Sequence, residues 1–523
     1  MLTELHLGNF KAFAEPVRIP IRPLTLIFGP NSAGKSSLIH GLALGHEATR
    51  PNGELDVHRT KLGGDAIDLG GFRQYVHRRA LDRNVTWGVR TRDARGGGVM
   101  TKVGGIPDFV MLASFGLPFV DEAHPFSRAK PTLASFHLTF SQESRLRLSR
   151  GSDGYLRIDE LTPSFAKLLQ KSRSHISSSK KGQSRSENEL KEASLNIVAT
   201  AGGLFPKAFH GASNAADLAD ELQYVVACAR NIVKEELKNL SYLGPLRSYP
   251  SRHMAFAEQN DANWAAGGGR AWDRMRKSKK LRDMVNLWLG SSERLQTAYK
   301  ILRRRFVAPS TAKGGIGAGI DEILSKLNEL DENADDVERD EISPQDRWGR
   351  EEFVKLVTRK LQNDRNADGD ADLVLVDLRT KTTVSHRDVG IGISQVLPVL
   401  VEAYGNKDRL VAIEQPEIHL HPRLQAELAD VFIESALGER KNTFLLETHS
   451  EHLILRVLRR IRETAQGRLP EGLSPVRPED VAVLFVVPED TGTQIVEIPI
   501  TAEGEFARPW PGGFFPERMK ELY

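Results

Sequence analysis

Residues Leu24-Thr25-Leu26-Ile27-Phe28 run directly into Gly29-Pro30-Asn31-Ser32-Ala33-Gly34-Lys35-Ser36-Ser37, and this stretch decides the fold. The first five form a short apolar run with strand character. Beyond the second segment, Leu38, Ile39, Leu42 and Leu44 suit a helix. Strand, G-x-x-x-x-G-K-S and helix is the context a phosphate-binding loop requires. Glycines let backbone N–H groups turn inward around phosphate oxygens. The helix N-terminus adds partial positive charge. Asn31, Ser32 and Ala33 fit a tight loop, Lys35 reaches the terminal phosphates, and the Ser36 hydroxyl ligates Mg²⁺. The expected bound group is therefore ATP with Mg²⁺. A chance glycine-rich turn is the competing reading, and the flanking strand and helix argue against it.

The C-terminal part holds three further signals. Arg409-Leu410-Val411-Ala412-Ile413 is a second apolar strand, followed by Glu414-Gln415-Pro416-Glu417. A carboxylate at the end of a buried strand is where nucleotide-bound Mg²⁺ takes an oxygen, directly or through water. Thr443-Phe444-Leu445-Leu446-Glu447 reads as a third strand, ending in Thr448-His449-Ser450. His449 is thereby placed to contact a γ-phosphate, while Glu447 and Glu451 read as surface charges. Ahead of both strands, Gly390, Gly392, Ser394 and Gln395 precede the apolar Val396–Leu400. Alternating glycines before an apolar helix make a second anion-binding helix start.

The order of these motifs resembles that of ABC-type ATPase heads, and more closely the branch shared by SMC proteins, double-strand-break repair ATPases and OLD-like, Septu-like bacterial defence ATPases. Asn9, Phe10, Lys11 and Phe13 look like that branch's opening turn. Ile413 to Pro422 looks like its Walker B and D-loop, and Thr448-His449-Ser450 like its H-loop. Tyr242-Leu243-Gly244-Pro245-Leu246-Arg247 and the tail from Trp510 to Phe515 look like a subgroup of small bacterial AAA-type proteins. The resemblance covers residues 1–90 and 370–523.

It implies an α/β fold: an ABC-type P-loop ATPase head with a mixed central sheet, an antiparallel β-subdomain and a mainly helical insertion. Residues 1–95 and 371–523 would be the two halves of the head, and 96–370 the subdomain strands and insertion. It also implies nucleotide contacts at Lys11 and from Asn31 to Ser37. Glu414 takes the Mg²⁺ position, His449 the switch position, and Gly390, Gly392, Ser394 and Gln395 the signature segment. In the family that signature acts across a homodimer, with nucleotide between two chains. Gln74 is either the Q-loop glutamine near the metal or an ordinary surface residue. One departure matters. The family's catalytic carboxylate follows the Mg²⁺ acid directly, and Gln415 stands there. Glutamine can orient water but cannot take its proton. Either Glu417 is the base, or hydrolysis is slow and ATP clamps a dimer.

Between the halves, Thr132–Phe140 alternates like a strand, and Ala215–Leu240 has the apolar spacing of an amphipathic helix. The Ser-rich basic stretch from Lys171 to Ser186 reads as a surface loop ahead of a phosphate-binding arm. Arg270, Arg274, Arg276, Lys277, Lys279, Lys280 and Arg282 form a basic run that is either a solvated helix face or a DNA-backbone contact. Gly314–Gly319 reads as a linker, and Asp331–Glu341 as an exposed acidic stretch. No heptad array suggests a long coiled coil.

Composition sets the outer limits. The chain has 523 residues, 72 Lys plus Arg and 69 Asp plus Glu, for a net charge of +3. Global charge therefore does not announce nucleic acid; only a local patch would. One cysteine, Cys228, excludes an internal disulfide or Cys cluster and reads as a buried filler. No apolar run has membrane-spanning length and no secretory leader is visible, so a cytoplasmic setting is expected. The segment after His449 is too short for a Toprim nuclease domain, and a nuclease effector would be a separate protein. The expectation is an ATPase that dimerises around ATP, or forms a higher homo-oligomer, and drives such an effector in prokaryotic antiphage defence. A DNA-binding repair or chromosome-maintenance ATPase, or a scaffold with little turnover, are the alternatives.

Overall fold

The computed structural model describes residues 1–51, 53–92, 108–118, 129–173, 187–247, 263–290, 294–295, 297–305, 371–386 and 388–513. The Ser-rich basic stretch beyond residue 173, the Gly314–Gly319 linker and the acidic Asp331–Glu341 segment lie outside them. The chain divides into two compact units: residues 1–249, 259–297 and 389–523, and residues 250–258 and 298–388.

The larger unit is built on two sheets. The first has six strands in the order Leu240–Leu243, Leu410–Glu414, Thr443–Glu447, Leu24–Phe28, Val481–Glu489 and Gly492–Glu497. The first five run parallel and the last is antiparallel. The three central strands are buried on both faces, which is why they read as continuous apolar runs with no alternation. The final hairpin belongs to this sheet: Val481–Glu489 pairs directly with the P-loop strand. Arg22 closes that junction, donating from Nη2 to Glu497 Oε1 at 2.7 Å and from Nη1 to the Val481 carbonyl.

The second sheet is antiparallel throughout, with nine strands. Leu2–Gly8 and Val17–Pro20 form one end. Val85–Thr91, Phe109–Gly116, Thr132–Ser141, Ser144–Arg150, Leu156–Leu161, Ile197–Gly202 and Phe205–Gly211 continue it to the other. The antiparallel β-subdomain is thus much larger than the single alternating stretch at 132–140 suggests. The long helix Ala216–Lys238 packs its Leu218, Leu222, Val225, Val226 and Val233 into the core, with Cys228 buried among them.

The P-loop helix Lys35–Ala48 packs against strands of both sheets. Two interior glycines permit it. A Cβ at Gly41 would meet Leu7 Cδ1 at 2.6 Å, and one at Gly45 would meet Trp87 at 2.1 Å. Each glycine costs about 0.5–1 kcal/mol of helix stability relative to alanine. In return Trp87 is wholly buried and donates its indole N–H to the Gly41 carbonyl at 2.8 Å. Truncating so large a core side chain costs about 3–5 kcal/mol.

The smaller unit contains a three-stranded antiparallel sheet of Tyr299–Arg305, Ala371–Asp377 and Thr382–Val384. Among the described residues, no helix is long and apolar enough to cross a membrane.

Candidate nucleotide site

The P-loop leaves its strand at Gly29, with φ +146°, and enters its helix at Gly34, with φ +98°. Both positions suit glycine for a second reason. A Cβ at Gly29 would lie 2.6 Å from the Val486 carbonyl, and one at Gly34 would lie 2.4 Å from Ala12 Cβ. The loop is therefore clasped from two sides. The Phe10–Phe13 turn packs against it, and Thr493 of the C-terminal hairpin donates its hydroxyl to the Ala33 carbonyl at 2.9 Å. Asn31 and Ser32 are exposed at the loop's crest, while Ala33 and Ser37 are buried.

Lys35 is buried and folds back on its own loop, donating to the carbonyls of Gly29 at 3.1 Å and Pro30 at 2.9 Å. Its Nζ lies 3.9 Å from Glu447 Oε1. Ser36 donates to Glu447 Oε2 at 2.7 Å and lies 3.5 Å from Glu414 Oε2. Burial lowers the Lys35 pKa against the opposing charges of Glu447, Glu414 and Glu417.

Glu414 and Glu447 end adjacent parallel strands as direct register partners. Both are buried. Desolvation first, and the neighbouring Glu447 second, push the Glu414 carboxyl up to about 7. Burial also raises Glu447, while Ser36 and Lys35 favour its charged form. Glu447 is thus no surface charge, contrary to the reading from sequence. A glutamate before a turn looks solvated when the chain is read locally. Its position is set by a strand pairing that brings it to Glu414 and Ser36.

The 242–247 segment braces this floor. Tyr242 donates to Glu414 Oε1 at 2.9 Å. Buried Arg247 donates to the carbonyls of Gln395 at 3.2 Å, Glu414 at 3.2 Å and Gln415 at 2.9 Å. Gln395 returns a weak bond to the Arg247 carbonyl at 3.4 Å. Tyr242 and Arg247 carry no chemical role in the sequence reading; a tyrosine and an arginine beside Gly-Pro give no local clue to partners so distant in the chain.

Gln415 and His419 hold left-handed backbone conformations, with φ +45° and +62°. Such conformations in non-glycine residues persist where surrounding structure over-determines them. Here the Gln415 N–H donates to the Glu447 carbonyl at 2.7 Å, and its own carbonyl accepts from Arg247. The turn buries Glu417, whose Oε1 accepts the His449 N–H at 2.7 Å. Burial raises the Glu417 pKa, opposed by that bond, Thr448 and Arg247. The His449 ring is exposed; desolvation and the Lys35 charge lower its pKa.

The signature candidates occupy the start of the helix Ile391–Gly405. Gly392 lies against the turn after Glu417, where a Cβ would be 2.8 Å from the His419 carbonyl. Ser394 and Gln395 are buried, whereas Gly390 is exposed. Lys11 sits beside the P-loop helix, its Nζ 2.7 Å from His40 Nδ1. Gln74 is exposed in the short helix Phe72–Tyr75.

The basic run at 270–282 divides. Arg274 is committed to Asn406 Oδ1 at 3.1 Å and the Gly405 carbonyl, and Arg282 to carbonyls of its own helix pair. Arg270, Lys277, Lys279 and Lys280 are exposed. Hydroxyl and carboxylate oxygens at Ser36, Glu414 and Glu447 are hard donors that suit Mg²⁺. Among the described residues, no group of three or more His, Cys, Asp and Glu side chains is disposed to hold an ion by itself. An ion here would take its remaining ligands from phosphate and water.

Residues 279–454 match the family described as AAA ATPase domain, and 476–523 match a protein family of unknown function, DUF3696. The first match spans the Glu414 and Glu447 strands and His449; the P-loop precedes it. It supports an ATPase domain of the AAA type in this chain. No curated protein matches the chain. Among solved structures, similarity extends to an SMC head bound to the C-terminal winged-helix domain of ScpA, with TM-score 0.36, 11% identity, and 95% of this chain and 98% of that chain covered. It extends also to the SMC head of Thermotoga maritima, with TM-score 0.34, 9% identity and coverages of 95% and 99%.

Proposed function

We propose that the chain binds and hydrolyses ATP with Mg²⁺, and that two copies pair around the nucleotide to drive a separate effector. The observation that carries this reading is the P-loop hydroxyl of Ser36 held within hydrogen-bond reach of carboxylates at the tips of two adjacent strands. Backbone N–H groups of Asn31 to Ser36 would cradle the phosphates. Lys35 would exchange its loop carbonyls for phosphate oxygens, and Ser36 and Glu414 would hold Mg²⁺. The ion supplies charge neutralisation of the phosphates. Glu417 is the candidate base, since burial makes a carboxylate a stronger proton acceptor. His449 is exposed beside the same turn and would contact the γ-phosphate. Gln415 would orient water, and Gln74 and Lys11 would complete the rim.

The exposed start of the Ile391–Gly405 helix fits a contact with nucleotide bound by a second copy. Antiphage defence with a nuclease effector is the setting the motif resemblance favours. Exposed Lys277, Lys279 and Lys280 keep direct DNA binding as a second reading.

ATP turnover by the purified chain, beside Lys35→Ala, Glu417→Gln and Gln415→Glu, tests the proposal. Loss of at least about a hundredfold in both of the first two variants is expected. Negligible wild-type turnover with tight ATP binding, rescued by Gln415→Glu, would instead make ATP a static clamp.

A further inference from the structure

Glu447, a third hard oxygen donor beside Ser36 and Glu414, is given no role in the reaction above, yet it accepts the Ser36 hydroxyl and lies near the Lys35 ammonium. Its two oxygens are divided between them: Oε2 takes the Ser36 hydroxyl at 2.7 Å, and Oε1 lies 3.9 Å from the Lys35 ammonium. These are the hydroxyl and the ammonium that a nucleotide phosphate and its ion need. The carboxylate therefore stands as a tethered stand-in for phosphate. Its position is fixed by its backbone: its carbonyl accepts from Gln415 and its strand is paired on both sides. It is buried, so solvent screens it little.

Charge makes this arrangement selective. Glu414 lies beside Glu447 with one oxygen already taken by Tyr242. Two buried glutamates thus face the loop, opposed by Lys35 and, at Glu414, by Lys11. A polyphosphate arriving alone brings several more negative charges into this poorly screened corner. A polyphosphate arriving with a divalent cation does not.

We propose that Glu447 is a specificity residue of the phosphate site, excluding metal-free nucleotide by competing for Ser36 and Lys35 and by repelling uncompensated phosphate. The proposal rests on the nucleotide-binding reading above. It assigns Glu447 a role in choosing which form of the nucleotide enters, separate from holding the ion or activating water.

The test is equilibrium binding of ATP to the full chain by calorimetry, in excess Mg²⁺ and in excess EDTA. The wild type is expected to bind ATP at least about a hundredfold more tightly with Mg²⁺. Glu447→Gln keeps an acceptor for Ser36 but removes the charge. It should shrink that ratio by about tenfold or more, through tighter metal-free binding. Glu447→Asp should retain most of the ratio. An unchanged ratio in Glu447→Gln overturns the proposal. So does a loss confined to Mg²⁺-ATP binding, which would make Glu447 a metal ligand. Should Glu447→Gln fail to fold by its thermal transition, Glu447→Thr is read in the same way. Absence of wild-type ATP binding in Mg²⁺ would instead sink the nucleotide-binding reading itself.

Discussion

Two helices of this chain begin at a glycine marked by its motif, and they are built in opposite ways. At the P-loop, Gly34 is wedged against Ala12 and held at φ +98°. The chain itself demands glycine there, by sterics and by backbone conformation. At the Ile391–Gly405 helix, Gly390 has φ −54° and no heavy atom within 4 Å of where a Cβ would stand. Neither reason applies. Ile391 beside it is 43% exposed. The first helix start is finished by the chain's own packing. The second presents a bare surface, in keeping with the proposed contact to another copy.

The same substitution at both glycines is the strongest way to break this contrast. Gly34→Val should abolish ATP binding, by at least about a hundredfold, because the loop must move off Ala12 and out of its left-handed conformation. Calorimetric titration with ATP reads it. Gly390→Val should leave thermal stability within about 0.5 kcal/mol, as for a surface change. ATP affinity at dilute protein should also hold. Turnover at high protein concentration should drop about tenfold, if the bare surface meets a second copy. Equal effects of the two substitutions on ATP affinity would erase the distinction.

A smaller effect sharpens the P-loop side. His40 lies on the P-loop helix against Lys11, and burial, with the Lys11 charge, pushes its pKa down to about 3. An unfolded histidine titrates near 6.5. As pH falls below that value, the unfolded chain takes up a proton that the folded chain refuses. The stability lost is about 2 kcal/mol by pH 5. Denaturant unfolding at pH 7.5 and pH 5 should show the decline, and His40→Gln should flatten it. A profile unchanged by the substitution would separate Lys11 and His40 in solution.

Much of the central sheet was legible because its strands are fully buried and announce themselves as apolar runs. Leu24–Phe28 and Thr443–Glu447 have the bounds their sequences suggest. Local motifs likewise pointed to Lys35, Ser36 and Glu414, which the fold brings together. What escaped depends on pairings between distant segments. Glu447 acquires its environment from the register with Glu414, and Arg247 acquires three carbonyl partners on two other elements. Arg274 belongs to a run that reads as a continuous basic face, but folding turns its side chain to the end of the Ile391–Gly405 helix. Most strands of the large antiparallel sheet passed unread, because short half-buried strands leave weaker periodicity than buried ones.

The hairpin that clasps the phosphate loop carries a consequence for biosynthesis. The P-loop strand is made well before its two sheet neighbours, Thr443–Glu447 and Val481–Glu489, which follow more than four hundred residues later. Thr493, which ties down Ala33, comes after both. A nascent chain halted before that hairpin holds the whole G-x-x-x-x-G-K-S sequence without the walls that shape it. Such long-range closure is slow and entropically costly. A nucleotide site at this loop would therefore take shape only after the Gly492–Glu497 strand has been made.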